Sequence, residues 1–250
     1  MKKICIIGSG SWGSALAIYL GGKGENVMIW SFSEAEKDLI NNEHKCKFLP
    51  EVSLPESVVA TNSYEEAIKD AEIILHVTPS KFVRDTIKGY KEFVKSDQMI
   101  IMCSKGFEAS SLKTLDEVIK EELPENRYGI LSGPSHAEEV SKNIPTLLTI
   151  ASEDEDVKKE IAEIFSSNTL RIYTSNDVKG VELGGALKNI IAFCAGASVG
   201  LGFGDNTFAA LATRGLVEIV RLRNNIGSKR KNILWANWAR RFNCNLWKSA

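Results

Sequence analysis

Residues 8–13 read G-S-G-S-W-G, a spacing of three glycines that suits binding of the phosphates of a dinucleotide. The motif follows the predicted strand Lys3–Ile7 and opens an apolar-periodic helix, and this context makes it specific. Gly8 permits a tight turn, Gly10 lets the backbone approach a pyrophosphate, and Gly13 lets the helix pack closely on the strand. The free N–H groups and positive dipole end of that helix would bind phosphate. The sequence therefore predicts a dinucleotide site here.

Two lysines occupy positions that suit chemistry on a second substrate. Lys105 is the only charge in its loop, beside Gly106 and after the predicted strand Met99–Cys103. Open α/β sheets bind ligands at the carboxyl ends of such strands, which favours a ligand role over an exposed lysine. Lys188 lies among small and apolar residues, where burial would lower its pKa and give a neutral amine able to act as a general base. A lysine on the wet side of an amphipathic helix is an equal alternative for Lys188.

The choice between NAD and NADP stays open. An NAD site usually carries an acid at the end of the second strand, about 20 residues beyond the glycines. The predicted second strand leads into Ser31, Phe32 and Ser33, with no acid until Glu34 and no arginine for a 2′-phosphate. Lys37 is a candidate cation, although such a lysine is more often solvated.

The elements that must position these residues alternate between strands and helices. The predicted strands are Lys3–Ile7, Asn26–Trp30, Glu72–Val77, Met99–Cys103, Gly129–Leu131 and Leu147–Ala151. The predicted helices are Ser11–Lys23, Ser33–Asn41, Lys81–Val94, Leu112–Glu122 and Asp154–Ser166. This alternation indicates an open parallel sheet with helices on both faces. After Asn176 no strand pattern is clear, and we predict a helical domain that begins near residues 175–185.

The composition narrows the class of protein. The 250 residues are 44% hydrophobic and 25% charged, as in an ordinary globular chain, and the net charge of -1 offers no basic field for nucleic acid or anionic lipid. Five scattered cysteines and three histidines share no ligand spacing, so we expect free thiols and no metal site. The apolar stretch Ile190–Leu201 is too short to span a bilayer. We therefore expect a cytoplasmic protein without a membrane or nucleic-acid partner.

A family resemblance extends from residue 1 to about residue 230. The glycine motif and its continuation to Ala17 resemble the opening of the bacterial NAD(P)-dependent glycerol-3-phosphate dehydrogenases. Four further blocks agree in order: S-K-G at 104–106, L-S-G-P-S-H-A-E-E-V at 131–140, G-V-E-L-G-G-A-L-K-N at 180–189, and G-F-G-D-N at 202–206, which leads to A-L-A-T-R-G-L-V-E at 210–218. The resemblance implies a Rossmann-type domain of parallel sheet at 1–178, followed at 179–231 by the start of an incomplete all-helical substrate domain.

The resemblance also implies a reaction and roles for residues. The reaction is the interconversion of sn-glycerol 3-phosphate and dihydroxyacetone phosphate by hydride transfer with NAD or NADP, a step toward glycerophospholipids. In the family, the lysine that matches Lys188 accepts the proton of the C2 hydroxyl, and the lysine that matches Lys105 contacts both substrate and cofactor. Gly133 and Ser135 match substrate-binding positions. The positions that match cofactor contacts, beyond the three glycines, are Ser11, Trp12, Phe32, Lys105 and Ala137.

The resemblance stops near residue 231. The family continues with G-L-x-G-x-G-D-L, T-C-x-S and S-R-N, and residues 232–250 contain none of these blocks. Back-translation from Lys231 with one adenine removed from its opening run can read K-T-Y-Y-G-L-T-G-L-G-D-L-I-V-T-C-G-S. In that frame Trp235, Trp238 and Trp247 must each yield glycine, whatever codons follow. We hypothesise that residues 232–250 are the out-of-frame product of a single-base insertion; a natural basic, aromatic tail that binds a partner is the alternative.

Loss of the later helices would have consequences for packing and function. We expect Leu211, Leu216 and Ile219 to lack partners, Arg214 and Lys188 to face a half-built cleft, and exposed apolar surface to favour a homodimer or poor stability. Three functions follow for comparison. The first is a glycerol-3-phosphate dehydrogenase impaired by loss of its C-terminal part, and the second is a non-catalytic dinucleotide-binding fragment. The third is a dehydrogenase for another substrate such as a hydroxy acid, against which the block around Lys188 argues.

Overall fold

The computed structural model describes residues 1–225. The hypothesised tail at 232–250 lies outside these described residues. The strands are β1 (Lys3–Ile7), β2 (Asn26–Trp30), β3 (Val58–Thr61), β4 (Ile73–His76), β5 (Met99–Met102), β6 (Tyr128–Ser132), β7 (Thr146–Ala151) and β8 (Leu170–Ser175). The α-helices are α1 (Ser11–Gly22), α2 (Glu34–Glu43), α3 (Tyr64–Ile68), α4 (Val83–Tyr90), α5 (Leu115–Glu122), α6 (Ala137–Ser141), α7 (Glu155–Phe165), α8 (Val178–Gly200) and α9 (Asp205–Asn225).

The eight strands form one sheet in the order β3-β2-β1-β4-β5-β6-β7-β8. The predicted α/β class is confirmed, and the strands from β3 to β6 are parallel. The predicted open parallel sheet is confirmed with one exception: β7 runs antiparallel to β6, while β8 is parallel to β7. Parallel strands need a crossover helix between them. Here the connection contains only the short α6, which packs against α1, so the chain turns back beside β6.

Helices cover both faces of the sheet, which explains the continuous apolar runs of the central strands. On β1, Ile4 and Ile6 join the cluster that includes Leu16 of α1, whereas Cys5 and Ile7 join the cluster that includes residues of α4 and α5. Successive side chains of a strand point to opposite faces, so a strand buried on both faces must be apolar at every position. The sheet therefore holds the loops at its carboxyl edge rigidly.

The sequence pattern does not predict β3 and β8, the two edge strands. β3 has only four residues, and its Val59 is exposed. β8 reads L-R-I-Y-T-S and is buried mainly at its two ends. Edge strands are covered less than central ones, so they lack the continuous apolar run by which the other strands were predicted.

The helices α8 and α9 pack against each other beyond the sheet. Ile191 of α8 is buried with Leu216 and Ile219 of α9, and a Cβ added at Gly215 would lie 2.7 Å from Ile191 Cγ1. The expectation that Leu216 and Ile219 lack partners is therefore wrong, because a glycine lets the two helices approach closely. Leu211 is half-buried.

The second half of α8 carries exposed apolar side chains. Phe193 is 77% and Ile190 is 60% exposed. The 23 residues of α8 make it, among residues 1–225, the one helix long and apolar enough to cross a bilayer, with 33% of its apolar window buried. The helix is thus longer than the stretch Ile190–Leu201 considered in the sequence. Core helices of soluble proteins meet the same criteria of length and composition.

Candidate active site

The glycine loop joins β1 to α1 and has the geometry of an anion site. Gly8 has φ of +122°, and its N–H donates to the Trp30 carbonyl at 3.0 Å, which ties the loop to the end of β2. A Cβ at Gly13 would lie 2.0 Å from the Gly8 carbonyl oxygen, whereas a Cβ at Gly10 would meet nothing within 4 Å. No side chain caps the start of α1 at Ser11, and its first turn holds no acid. Its first N–H groups therefore lack side-chain acceptors, as an anion site requires.

A cleft of about 720 Å³ lies beside this loop and along the ends of β2, β4 and β5. Its volume is typical of a cofactor site. The predicted cofactor residues that line it are Gly8, Gly10, Ser11, Trp12, Phe32 and Lys105. Gly13 and Ala137 lie outside its lining, because Gly13 packs under the Gly8 carbonyl and Ala137 is buried at the start of α6.

Two aromatic residues shape the cleft. The buried Trp12 Nε1 has no hydrogen-bond partner among residues 1–225, so a donor is available to a ligand. Lys105 Nζ lies 5.6 Å from the centroid of the Trp12 ring, within the range of a cation–π contact. Phe32 lines the cleft but is 90% exposed, which leaves its ring free to stack against a nucleobase. These features fit an aromatic, anionic ligand such as a nicotinamide dinucleotide.

The structure brings Lys105, Lys188 and Gly133 together at the end of the cleft that Lys105 lines. Lys188 Nζ donates to the Gly133 carbonyl at 3.2 Å. Gly185, one turn earlier on α8, permits this approach, because a Cβ there would lie 2.7 Å from Ser132 Oγ and 3.7 Å from Lys105 Cγ. α8 thus lies along β6 and the residue that follows it: Gly185 approaches Ser132, Lys188 contacts Gly133, and Val178 belongs to the same apolar cluster as Ile130.

The surroundings of the two lysines lower the pKa of each amine. Burial, followed by the charge and the hydrogen bond of neighbouring Lys105, lowers the pKa of Lys188 to about 7. Burial is also the main cause that lowers the pKa of Lys105. Lys188 is therefore on the packed side of α8, whereas the adjacent Asn189 is exposed. An amine with a pKa near neutrality can both accept and donate a proton at physiological pH.

The loop between β6 and α6 supplies the other predicted substrate residues. A Cβ at Gly133 would lie 2.7 Å from the Leu147 carbonyl oxygen, so the close approach of β7 requires glycine. Ser135 follows in the same loop, and its buried hydroxyl has no hydrogen-bond partner within the described part of the chain. Arg214 is 65% exposed on α9 and pairs with Glu218 at 2.5 Å; that it faces the cleft together with Lys188 stays a prediction.

Polar groups that the sequence motifs do not predict lie next to the cleft. Ser9 Oγ and Ser31 Oγ lie 2.8 Å apart, and both contact the carboxylate of Glu36. The sequence S-x-x-E at 33–36 is the signal of a helix cap and could have drawn attention to this acid.

His76 is a second polar group that the sequence did not single out. It is buried between Thr78 Oγ1 at 2.7 Å and the Tyr90 hydroxyl at 3.1 Å. Burial lowers the pKa of His76 to about 3, so its imidazole is neutral.

Taken together, these features define a class of protein. A parallel sheet with a glycine loop at a helix N-terminus provides a dinucleotide cleft, and a buried amine at its end provides a base. The class is that of the nicotinamide-dependent oxidoreductases with a Rossmann fold.

Comparison with known proteins identifies the family. The profile described as NAD-dependent glycerol-3-phosphate dehydrogenase N-terminus matches residues 3–158, and the corresponding C-terminus profile matches residues 177–237. The chain belongs to the family of NAD(P)-dependent glycerol-3-phosphate dehydrogenases, which confirms the resemblance found in the sequence.

Named relatives agree. The chain is 44% identical over 232 residues to a glycerol-3-phosphate dehydrogenase (NAD(P)+) of Clostridium tetani, covering 92% of this chain and 66% of the relative. It is 46% identical over 226 residues to that of Fusobacterium nucleatum, covering 89% and 67%. The crystal structure of glycerol-3-phosphate dehydrogenase from Coxiella burnetii superposes with a TM-score of 0.87 at 36% identity, covering 91% of this chain and 70% of that one. The chain thus spans about two thirds of the length of the curated relatives it matches.

Proposed function

We propose that this chain binds a nicotinamide dinucleotide in the cleft and interconverts sn-glycerol 3-phosphate and dihydroxyacetone phosphate. The observation that carries the proposal is the pairing of Lys188 and Lys105 beside the Gly133 carbonyl, at the end of a cleft that starts at the glycine loop. The names of the relatives support the same reaction.

The proposed chemistry divides the work between the lysines and the cofactor. In oxidation the neutral Lys188 amine takes the proton of the C2 hydroxyl, and the carbon–oxygen double bond forms as the C2 hydride leaves. The bound nicotinamide supplies the hydride acceptor, or the donor in the reverse direction. In reduction the protonated Lys188 returns the proton to the alkoxide oxygen. The Gly133 carbonyl orients the amine, and Lys105 lies where an ammonium can contact both substrate and cofactor.

The remaining site residues are proposals of the same kind. Gly133 and Ser135 would hold the substrate, since the Ser135 hydroxyl has no hydrogen-bond partner among residues 1–225. The proposed cofactor residues are Gly8, Gly10, Ser11, Trp12, Gly13, Phe32, Lys105 and Ala137. We assign no metal to the site, because the proposed proton and hydride transfers need only the amine and the cofactor.

An assay of dihydroxyacetone phosphate-dependent oxidation of NADH and NADPH tests the proposal. We expect measurable turnover by the 250-residue chain, slower than that of a longer relative whose further residues add to the site. A hydroxy acid serves as the control substrate. Binding of NADH without any turnover would contradict catalysis and favour a non-catalytic dinucleotide-binding fragment instead.

We propose that residues 1–178 form the dinucleotide-binding domain, that 179–231 begin the helical substrate domain, and that 232–250 are an out-of-frame tail. The absence of the later family blocks from residues 232–250 supports this division. Sequencing the coding DNA tests it: a run of adenines at codons 231–232 is expected, and codons that cannot yield the family block would contradict the frameshift.

We further propose that the protein is cytoplasmic, acts on small molecules without a nucleic-acid or membrane partner, and forms a homodimer. The near-neutral charge argues against nucleic acid. The exposed apolar side chains of α8 support self-association.

A further inference from the structure

We propose that the Glu36 carboxylate recognises the 2′-hydroxyl of the adenosine ribose, so that the chain binds NAD(H) in preference to NADP(H). This inference rests on the proposed function, because it concerns the cofactor of the same cleft. No acid stands at the usual position at the end of β2, and the structure offers Glu36 in its place.

The carboxylate of Glu36 is joined to the glycine loop. It accepts a hydrogen bond from Ser9 Oγ, and Ser31 Oγ lies 3.4 Å away. Ser31 is fully buried and Ser9 is nearly so, and their hydroxyl oxygens are 2.8 Å apart. Two hydroxyl groups thus hold the Glu36 carboxylate beside the loop, although Glu36 itself lies in the first turn of α2.

We place the ribose of a bound dinucleotide beside Ser9, the partner of Glu36 that lines the cleft, whereas Glu36 itself lies behind Ser9 and outside that lining. The pyrophosphate belongs at Gly10 and the start of α1, where the backbone is open. Phe32 lines the cleft with an exposed ring that suits the adenine. The ribose connects these two groups, and Ser9, which precedes Gly10 in the loop, lines the same cleft and donates a hydrogen bond to Glu36.

The charge of Glu36 distinguishes the two cofactors. A carboxylate accepts a hydrogen bond from a 2′-hydroxyl, and it repels a 2′-phosphate of like charge. Lys37, the cation that follows it, is already paired with Glu34 at 3.6 Å and Asp38 at 3.2 Å. A lysine held between two acids is a poor partner for an additional phosphate.

The next helix provides an internal control. At α3 the Glu66 carboxylate accepts a hydrogen bond from Thr61 Oγ1, and Ser63 caps the helix, as Ser33 caps α2. The local motif is therefore the same in both helices. Glu36 differs in its contact with Ser9 of the glycine loop, and this difference is what assigns it to the cofactor.

The test measures dissociation constants of the full chain for NADH, NADPH, ADP-ribose and 2′-phospho-ADP-ribose by quenching of tryptophan fluorescence. We expect the unphosphorylated member of each pair to bind about tenfold to hundredfold more tightly. Glu36→Gln should reduce that ratio about tenfold or more, and Glu66→Gln should leave it unchanged. Melting temperatures of both variants report whether they fold.

The outcomes separate this inference from the proposed function. Equal binding of NADH and NADPH by the unmodified chain overturns the role of Glu36, even if Glu36→Gln fails to fold. A folded Glu36→Gln variant with an unchanged ratio overturns it as well. If none of the four nucleotides binds, the proposed function fails and this inference fails with it.

Discussion

At the scale of the residue, the protonation of Lys188 is central. Burial against β6 and the neighbouring Lys105 both disfavour its charged form, and they bring its pKa to about 7. The hydrogen bond to the Gly133 carbonyl orients the amine, and because this acceptor is uncharged it does not stabilise the ammonium form as a carboxylate would. This environment makes two predictions about the reaction.

The first prediction concerns pH. Because oxidation needs the neutral amine, kcat/KM for glycerol 3-phosphate should rise with pH about tenfold per unit below pH 7 and level off above it. For dihydroxyacetone phosphate, reduction needs the protonated amine, so its kcat/KM should fall above about pH 7. Steady-state rates in both directions check this. Two profiles that change in the same direction would contradict the role of Lys188.

The second prediction concerns Lys188→Met. Removal of the base should lower kcat by about 10² to 10⁴ while the dissociation constant for NADH changes little. Lys88→Met, on the exposed side of α4, is the matched control and should retain full turnover. Stopped-flow rates and fluorescence titration check the pair. Equal turnover in the two variants would remove Lys188 from the mechanism.

At the scale of the element, the turn between β1 and α1 contains glycines with two different roles, one in folding and one in ligand binding. Gly13 is required by the backbone itself, since a Cβ there meets the Gly8 carbonyl, whereas Gly10 borders open space. The same turn therefore contains one glycine that the fold needs and another that the ligand needs.

The third prediction follows from this difference. Gly13→Ala should lower the free energy of unfolding by about 1–3 kcal/mol, because the clash forces the backbone to shift. Gly10→Ala should leave stability nearly unchanged and weaken NADH binding, because the methyl group stands where the pyrophosphate approaches. Urea unfolding and fluorescence titration measure both. Gly22→Ala, a helical position with open space, is the control, and a loss of stability there would undermine the comparison.

The elements also explain what the sequence could and could not predict. The central strands and the glycine loop were predictable, because burial on both faces and a fixed turn leave strong local patterns. The reversal of β7 was not, since it depends on where α6 packs. The meeting of Lys188 with Gly133 joins segments 55 residues apart, and the pattern around Lys188 alone was compatible with a solvated lysine. Glu36 was overlooked because its contact with Ser9 crosses from α2 to another loop.

At the scale of the whole molecule, the sheet is packed by much larger apolar clusters than the pair of helices α8 and α9. Within residues 1–225 the sheet has two extensive clusters, one on each face, whereas α8 and α9 share a small one around Ile191. Asp177 and Arg223 form a buried ion pair at 2.5 Å that ties the start of α8 to the end of α9. The second half of α8 exposes large apolar side chains, among them Ile190 and Phe193.

The fourth prediction concerns this surface. Phe193→Lys should reduce self-association, because it removes an aromatic ring that is 77% exposed and adds charge. Sedimentation velocity over a range of concentrations measures the effect. Lys88→Glu on α4 changes charge without touching the apolar surface and is the control. If the unmodified chain is monomeric at all concentrations, the proposed homodimer is wrong.

The contacts of α8 along β6 impose a rule on how the length of the chain can vary. Each residue added or removed between Val178 and Lys188 turns the amine by about 100° around the helix axis and shifts it by about 1.5 Å. The segment from 133 to 145 is constrained as well, because Gly133 packs against Leu147 and accepts the hydrogen bond of Lys188. An insertion in the first half of α8 would therefore separate the amine from a carbonyl that cannot follow it, and the number of residues there must stay fixed.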